Sequence, residues 1–300
     1  MKQTLLILGL CLCLLPAAAV ADPVDEARSE YLAGNYSQAL EILVPAAEAG
    51  DANAQNILGA AYDEGNGVEI DYAAALDWWS KSAAQGFSKA QYNLGKMLAE
   101  GRPGVDPDPK RAEQLLRAAM AQKNADAFNE MGLLHALGRG RPVNLERAVE
   151  FYRQGAELGS RVAISNLGAA YAKGEGFEQD YSLAFQYISR AAAMGDRQAL
   201  HNMGVLYENG FHVFRDLTAA LFYYDAAFNA GYDKSAWHMA TIIGVSGNYG
   251  SDQIEGLALC LWASEALPEL KSEIDVDCAA LSKDLKPDQI RAAQDRAKEL

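Results

Sequence analysis

The chain repeats itself with a long, regular period. An apolar–glycine pair recurs as Leu58-Gly59, Leu94-Gly95, Met131-Gly132, Leu167-Gly168 and Met203-Gly204, then in altered form as Met239-Ala240, at steps of 36, 37, 36, 36 and 36 residues. Alanine keeps the same phase at Ala39, Ala75, Ala112, Ala148, Ala184, Ala220 and Ala258. Two markers in one register define one structural unit per period. A unit of that length cannot bury its apolar face alone, so successive units must stack.

Inside each unit the pattern is helical. Ala54, Leu58 and Tyr62 recur at helical spacing, and Ala75, Trp78, Trp79 and Ala83 do so in the next segment, as expected for helices with one buried stripe. Between them Gly65-Asn66-Gly67-Val68-Glu69-Ile70-Asp71 provides two glycines for a tight turn and an aspartate to cap the second helix. Gly50, Gly86, Gly159, Gly195 and Gly231 stand where second helices end. Gly59 and its equivalents fall mid-helix, where glycine is about 1 kcal/mol less favourable than alanine. Its recurrence there predicts close approach of neighbouring helices. The expected fold is all-α: a right-handed superhelical α-solenoid of stacked helix–loop–helix repeats. Residues 22–52 form an N-terminal helical hairpin, 53–268 the repeats and 269–300 the C-terminal capping helices.

The runs AQYNLGKMLAEG, DYAAALDWWSKSAAQG and NLGAAYAKGEGFEQDYSLAFQYISRAAAMG resemble the Sel-1-like repeat family, relatives of tetratricopeptide repeats. The resemblance extends from about Asn35 to Ala266. The tail LKPDQIRAAQDRAKEL is similar to the closing helix of exported members, with Pro287 at a first helical position and a stripe of Ile290, Ala293, Ala297 and Leu300. In tetratricopeptide-like hairpins the position two before the apolar–Gly pair faces the groove. The resemblance therefore implies a binding row of Asn56, Tyr92, Asn129, Ser165, His201 and Trp237. It also implies a scaffold, adaptor or regulator that holds a protein partner of the cell envelope.

Departures from the repeat mark a second candidate surface, because the shared positions are needed for packing. The loop from Gly101 to Pro109 gains one residue and three prolines, and Gly138-Arg139-Gly140-Arg141-Pro142 carries two arginines. Gly210-Phe211-His212-Val213-Phe214-Arg215 replaces the second glycine by His212 and adds Phe211 and Phe214, aromatic anchors of the kind that dominate binding interfaces.

The segment Met1–Ala21 reads as a cleaved signal peptide. Lys2 precedes an apolar run from Leu5 to Leu15, and Ala19-Val20-Ala21 offers small residues for cleavage before Asp22. The run is shorter than the roughly 20 residues that span a bilayer. The expectation is a periplasmic or secreted protein with no membrane insertion after cleavage. The chain carries a net charge of −14, and losing Lys2 leaves 25 basic against 40 acidic residues. Such a surface disfavours nucleic acid and anionic lipid. Of the cysteines, Cys260 and Cys278 remain after cleavage. In an oxidising compartment they read as a disulfide, the alternative being two buried thiols.

Catalytic signatures are missing: the sequence holds no GxSxG, HExxH, P-loop or CxxC. His135, His201, His212 and His238 lack metal-ligand spacing, although His201 and His238 fall on adjacent first helices. No enzyme activity, cofactor or metal is expected. The competing reading is a cell-wall enzyme or a peptidoglycan- or β-lactam-binding protein.

Overall fold

The computed structural model describes residues 23–245 and 253–300, in which every regular element is a helix. The segment read as a signal peptide lies outside the described residues. The chain divides into two compact units, one ending at Gln85 and the other running from Gly86 to Leu300. The first contains α1 (Pro23–Leu32), α2 (Tyr36–Glu48), α3 (Ala52–Glu64) and α4 (Tyr72–Ala84). The second contains α5 (Ser88–Glu100), α6 (Pro109–Ala121), α7 (Ala125–Ala136), α8 (Leu145–Glu157), α9 (Arg161–Lys173), α10 (Tyr181–Ala193), α11 (Arg197–Asn209) and α12 (Leu217–Asn229). It ends with α13 (Lys234–Val245), α14 (Gln253–Ala266), α15 (Lys271–Ser282) and α16 (Pro287–Ala297).

Odd and even helices pair as hairpins from α1·α2 to α13·α14, and within the second unit the first helices α5, α7, α9 and α11 also touch in series. The helix starts are locally encoded. From α3 to α12 every helix except α5 begins at an Asp, Asn or Ser whose side chain accepts from a backbone amide two or three residues on. Each such cap contributes about 1 kcal/mol.

The mid-helix glycines bring together the two helices of the hairpins from α3·α4 to α11·α12. A Cβ on Gly59 would fall 2.5 Å from Trp79 Cδ1, and one on Gly95 3.0 Å from Leu116 Cγ. On Gly132 and Gly204 it would lie 2.5 Å from Tyr152 and Tyr224, and on Gly168 2.7 Å from Ile188. The covering residue comes 20 or 21 positions later in every case, so the approach lies within one hairpin. In the last hairpin Ala240 stands in the glycine's place and Cys260 in that of the covering residue, both fully buried in one core cluster. A second slot stacks rings between the same helices: Tyr171 on Tyr187 and Tyr207 on Tyr223, both at 5.6 Å, with His135 on Phe151 at 5.4 Å.

The chain ends by covering this last core. Ala293 of α16 is fully buried there, and Ile290, Ala297 and Leu300 pack beside it. Cys278 of α15 comes to Cys260 with the Cα atoms 5.6 Å apart, a separation a disulfide spans without backbone movement.

Two residues occupy left-handed backbone positions that glycine fills elsewhere. Lys123, at φ 60°, ends α6 where Gly159 and Gly195 end α8 and α10. His212, at φ 66°, takes the tip position held by Gly140 and Gly176.

Candidate functional site

The row expected to face a groove is, for the most part, interior. Asn56, Asn129, Ser165 and His201 are buried, while Tyr92 and Trp237 are half-buried. In the second unit these side chains close the seam between repeats. Asn129 Oδ1 accepts from Asn166 Nδ2 at 2.8 Å, and Ser165 Oγ donates to Asp196 Oδ1 at 2.9 Å. His201 Nδ1 meets Ser235 Oγ at 3.0 Å, and Trp237 Nε1 donates to Asp277 Oδ2 at 2.8 Å. Each is a polar group satisfied from the neighbouring helical layer, which makes its burial tolerable.

The accessible row lies one residue further along each helix, a rotation of about 100° on a helix of 3.6 residues per turn. It runs through Asn93, Asn166, Asn202 and His238, all half-buried. Glu130 shares this position but is buried, at 4% exposure, and its Oε2 has no hydrogen-bond partner. Burial pushes its carboxyl up to about 7. The Glu100 charge acts in the same sense, against the pull of Lys96, Arg139 and a bond from Asn129.

Beside this row the first helices α9, α11 and α13 carry Arg161, Lys173, Arg197 and Lys234 against one carboxylate, Glu208. That carboxylate is already engaged. Tyr224 donates its hydroxyl to Glu208 Oε2 at 2.6 Å, and His238 Nδ1 lies 3.3 Å from the same oxygen. Burial pushes the Glu208 carboxyl up, but the bonds from His238 and Tyr224, with the charges of His238 and Arg215, outweigh it and hold the group below its ordinary value. These three helices thus hold more basic than acidic residues, with Arg161 facing Asp196 at 3.8 Å and Lys173 facing Glu175 at 3.4 Å.

His201 and His238 meet edge to face at 4.9 Å, with Tyr224 and Tyr232 against His201. Burial, reinforced by His238, lowers the His201 ring to about 3, so it is neutral at physiological pH. No group of three or more His, Cys, Asp or Glu suited to a metal ion occurs among the described residues. No described helix is long and apolar enough to cross a membrane.

At the tip after α11 the two candidate aromatics part company. Phe211 is half-buried and stacks on Tyr181 of α10 at 4.4 Å, whereas Phe214 is 96% exposed. Phe211 is thus a wall of the molecule, and Phe214 is a free surface ring. The buried seam residues and Glu130 are not separable from surface polar residues by composition; for Asn129, Ser165 and His201 the polar partner one repeat on, Asn166, Asp196 or Ser235, is what distinguishes them.

Helix pairs of constant length, a glycine-mediated approach and a partly accessible face on the first helices define the class of all-α, tetratricopeptide-like helical-repeat solenoids. Within that class the Sel1 repeat profile matches at residues 29–51, 52–87, 88–124, 125–160, 161–196 and 197–232, and the chain belongs to the Sel1 repeat family. It is similar to a Sel1 repeat protein of Oxalobacter formigenes, with 32% identity, a TM-score of 0.62, and coverage of 77% of this chain and 91% of that one. It is also similar to a protective antigen of uropathogenic Escherichia coli that displays an SLR fold, with 25% identity, a TM-score of 0.63, and coverage of 92% and 61%. A sel1-like repeat-containing protein of Acanthamoeba polyphaga mimivirus shares 53% identity over 45 residues, 15% of this chain. The match spans only 8% of that viral protein. Sel1 repeats generally mediate protein–protein interaction, and proteins built from them are typically scaffolds and not enzymes.

Proposed function

We propose that this protein is an exported adaptor or regulator that binds a protein partner of the cell envelope through the accessible face of its first helices and the tip beyond α11. The observation that carries the reading is the amide-lined, partly accessible face of α9, α11 and α13, helices that hold four basic residues and one acidic in a chain with 40 acidic and 26 basic residues. Such a face offers polar recognition through its amides, with basic residues on the same helices. Phe214, nearly fully exposed, adds an aromatic anchor.

Export rests on the leader-like residues Met1–Ala21 and on the pairing of Cys260 with Cys278, which an oxidising compartment would convert to a disulfide. The experiment is crosslinking of the tagged protein in cells, fractionation, and mass spectrometry of both bait and prey. The reading expects a mature chain starting at Asp22, in the envelope fraction, joined to a defined envelope protein. A bait that keeps Met1 and stays in the cytosol removes export, and a bait recovered alone under conditions that capture other envelope complexes removes the adaptor role.

A further inference from the structure

The tips of the hairpins press on the preceding repeat. A Cβ on Gly140 would fall 2.5 Å from Pro109 Cβ, and one on Gly176 would fall 2.7 Å from the Leu145 backbone. Pro109 and Leu145 both begin second helices, so the glycine is what lets the tip seat there. At the next tip His212 takes the glycine's place and brings a Cβ that such seating would exclude. Phe211 precedes it, where the other tips of this unit carry Arg102, Arg139 and Glu175. The contact with the preceding second helix is made instead by rings, Phe211 on Tyr181 at 4.4 Å and His212 against Phe185 at 5.5 Å.

Beside these rings is a cavity of about 230 Å³, walled by Ala169, Ile188, Val205, Leu206 and the stacked pair Tyr181 and Phe211. An apolar cavity of about 150 Å³ holds a benzene ring, so this one admits an aromatic side chain. Lys173, the one charged residue on the lining, is mostly exposed and has Glu175 at 3.4 Å. Asn202, half-buried, supplies an amide. Ala169, Lys173, Asn202 and Val205 belong to the accessible face of α9 and α11, so the cavity opens where a partner would lie.

We propose that this cavity is the anchor pocket for an aromatic side chain of the partner polypeptide, with a neighbouring acidic residue of that partner meeting Lys173. The proposal rests on the protein-binding reading above and adds the chemistry of the bound segment. The acidic neighbour follows from Lys173, the charged residue at the pocket, whose exposed pairing with Glu175 at 3.4 Å is weak enough for a partner carboxylate to share or replace. Phe211, where the other tips of this unit carry Arg or Glu, gives the pocket its aromatic wall together with Tyr181.

The test is methyl-resolved NMR of the full protein titrated with three blocked dipeptides: N-acetyl-Phe-Asp-amide, N-acetyl-Phe-Lys-amide and N-acetyl-Ala-Asp-amide. Saturable shifts are expected at the Ala169, Ile188, Val205 and Leu206 methyls with Phe-Asp. Phe-Lys should bind about three- to fivefold more weakly, as for one partly exposed charge contact, and Ala-Asp should leave these methyls unmoved. Lys173→Glu, at an exposed position, should reverse the Asp-over-Lys preference, and Ala169→Phe should fill the pocket and abolish the shifts. Shifts equal for all three peptides, their absence at these methyls, or an unchanged preference in Lys173→Glu would overturn the proposal. Retained capture of the cellular partner by a folded Ala169→Phe variant overturns the pocket and leaves the adaptor role standing. Failure of the wild-type protein to capture any partner removes the adaptor role itself.

Discussion

Replacing Gly168 by alanine adds one methyl group to α9 at a point where the hairpin leaves no room. The new Cβ would lie 2.7 Å from Ile188 Cγ1, 3.0 Å from the Ile188 backbone nitrogen and 3.2 Å from Tyr187 Cβ. A side-chain rotation does not relieve contact with a backbone atom, so α10 must move as a body. Overpacking of this kind destabilises by about 1–3 kcal/mol, against a helix-propensity gain of about 1 kcal/mol for Gly→Ala. The net expectation is a loss of up to roughly 2 kcal/mol. Gly95→Ala provides the control. Its Cβ meets Leu116 Cγ at 3.0 Å and Cδ2 at 3.1 Å, with Ala112 O at 3.4 Å, and a leucine end can yield by a few tenths of an ångström. There the clash and the propensity gain nearly cancel, and the variant should fall within about 0.5 kcal/mol of the parent. Urea unfolding followed by circular dichroism gives the order of stabilities. Hydrogen exchange of the α9–α10 amides localises the loss, because repeat arrays need not unfold in one step. Equal stabilities for the two variants, or a gain in both, would refute the claim that hairpin contact fixes these glycines.

Lys123→Gly should stabilise by about 1 kcal/mol, since Lys123 holds a left-handed conformation at φ 60° in an exposed position; a urea midpoint unchanged or lowered would count against it. Two buried groups set opposite pH slopes. The Glu130 carboxyl, raised from 4.5 to about 7, keeps its proton in the folded state, so its stabilising contribution is complete below about pH 4.5 and is lost as pH rises through 7. Glu130→Gln should therefore be more stable than the parent at pH 8, by up to about 3 kcal/mol, with the difference vanishing towards pH 4.5. The His201 ring, lowered from 6.5 to about 3, does the reverse: stability is complete above pH 6.5 and falls by up to about 4 kcal/mol as pH drops towards 3. His201→Gln should flatten that acid slope, as read by urea midpoints across the range. Reduction of the oxidised protein should lower stability by about 3 kcal/mol for the 18-residue separation of Cys260 and Cys278; an intact mass already carrying two thiol hydrogens in purified envelope protein would dispose of the disulfide.

The fold was legible because its determinants are local and recur. The apolar–Gly pair, the Asp and Asn caps and the terminal glycines each act within one hairpin, and the period repeats the same information several times over. The close approach at Gly59 and Gly132 follows from the cost of glycine in a helix, although sequence did not reveal that the covering residues were Trp79 and Tyr152. The accessible face lies one residue beyond the position that the repeat register points to. Ser165 and His201 look like surface residues in sequence, and they are buried because Asp196 and Ser235, one repeat away, satisfy them. The repeat period fixes position along the helix but leaves its rotation to such long-range bonds. Phe211 and Phe214 were picked out together as departures from the pattern. Only the position of Tyr181 separates the packed ring from the exposed one.

On the proposed function, partners dock on the first-helix face. The most direct test is a photocrosslinking amino acid placed in cells at Val162, Asn166 or Asn202 on that face, and at Glu150 or Gln186, which are exposed on second helices. The first set should trap one and the same envelope protein, and the second set should not. Trapping from Glu150 and Gln186 with silence at Val162, Asn166 and Asn202 would contradict docking on that face.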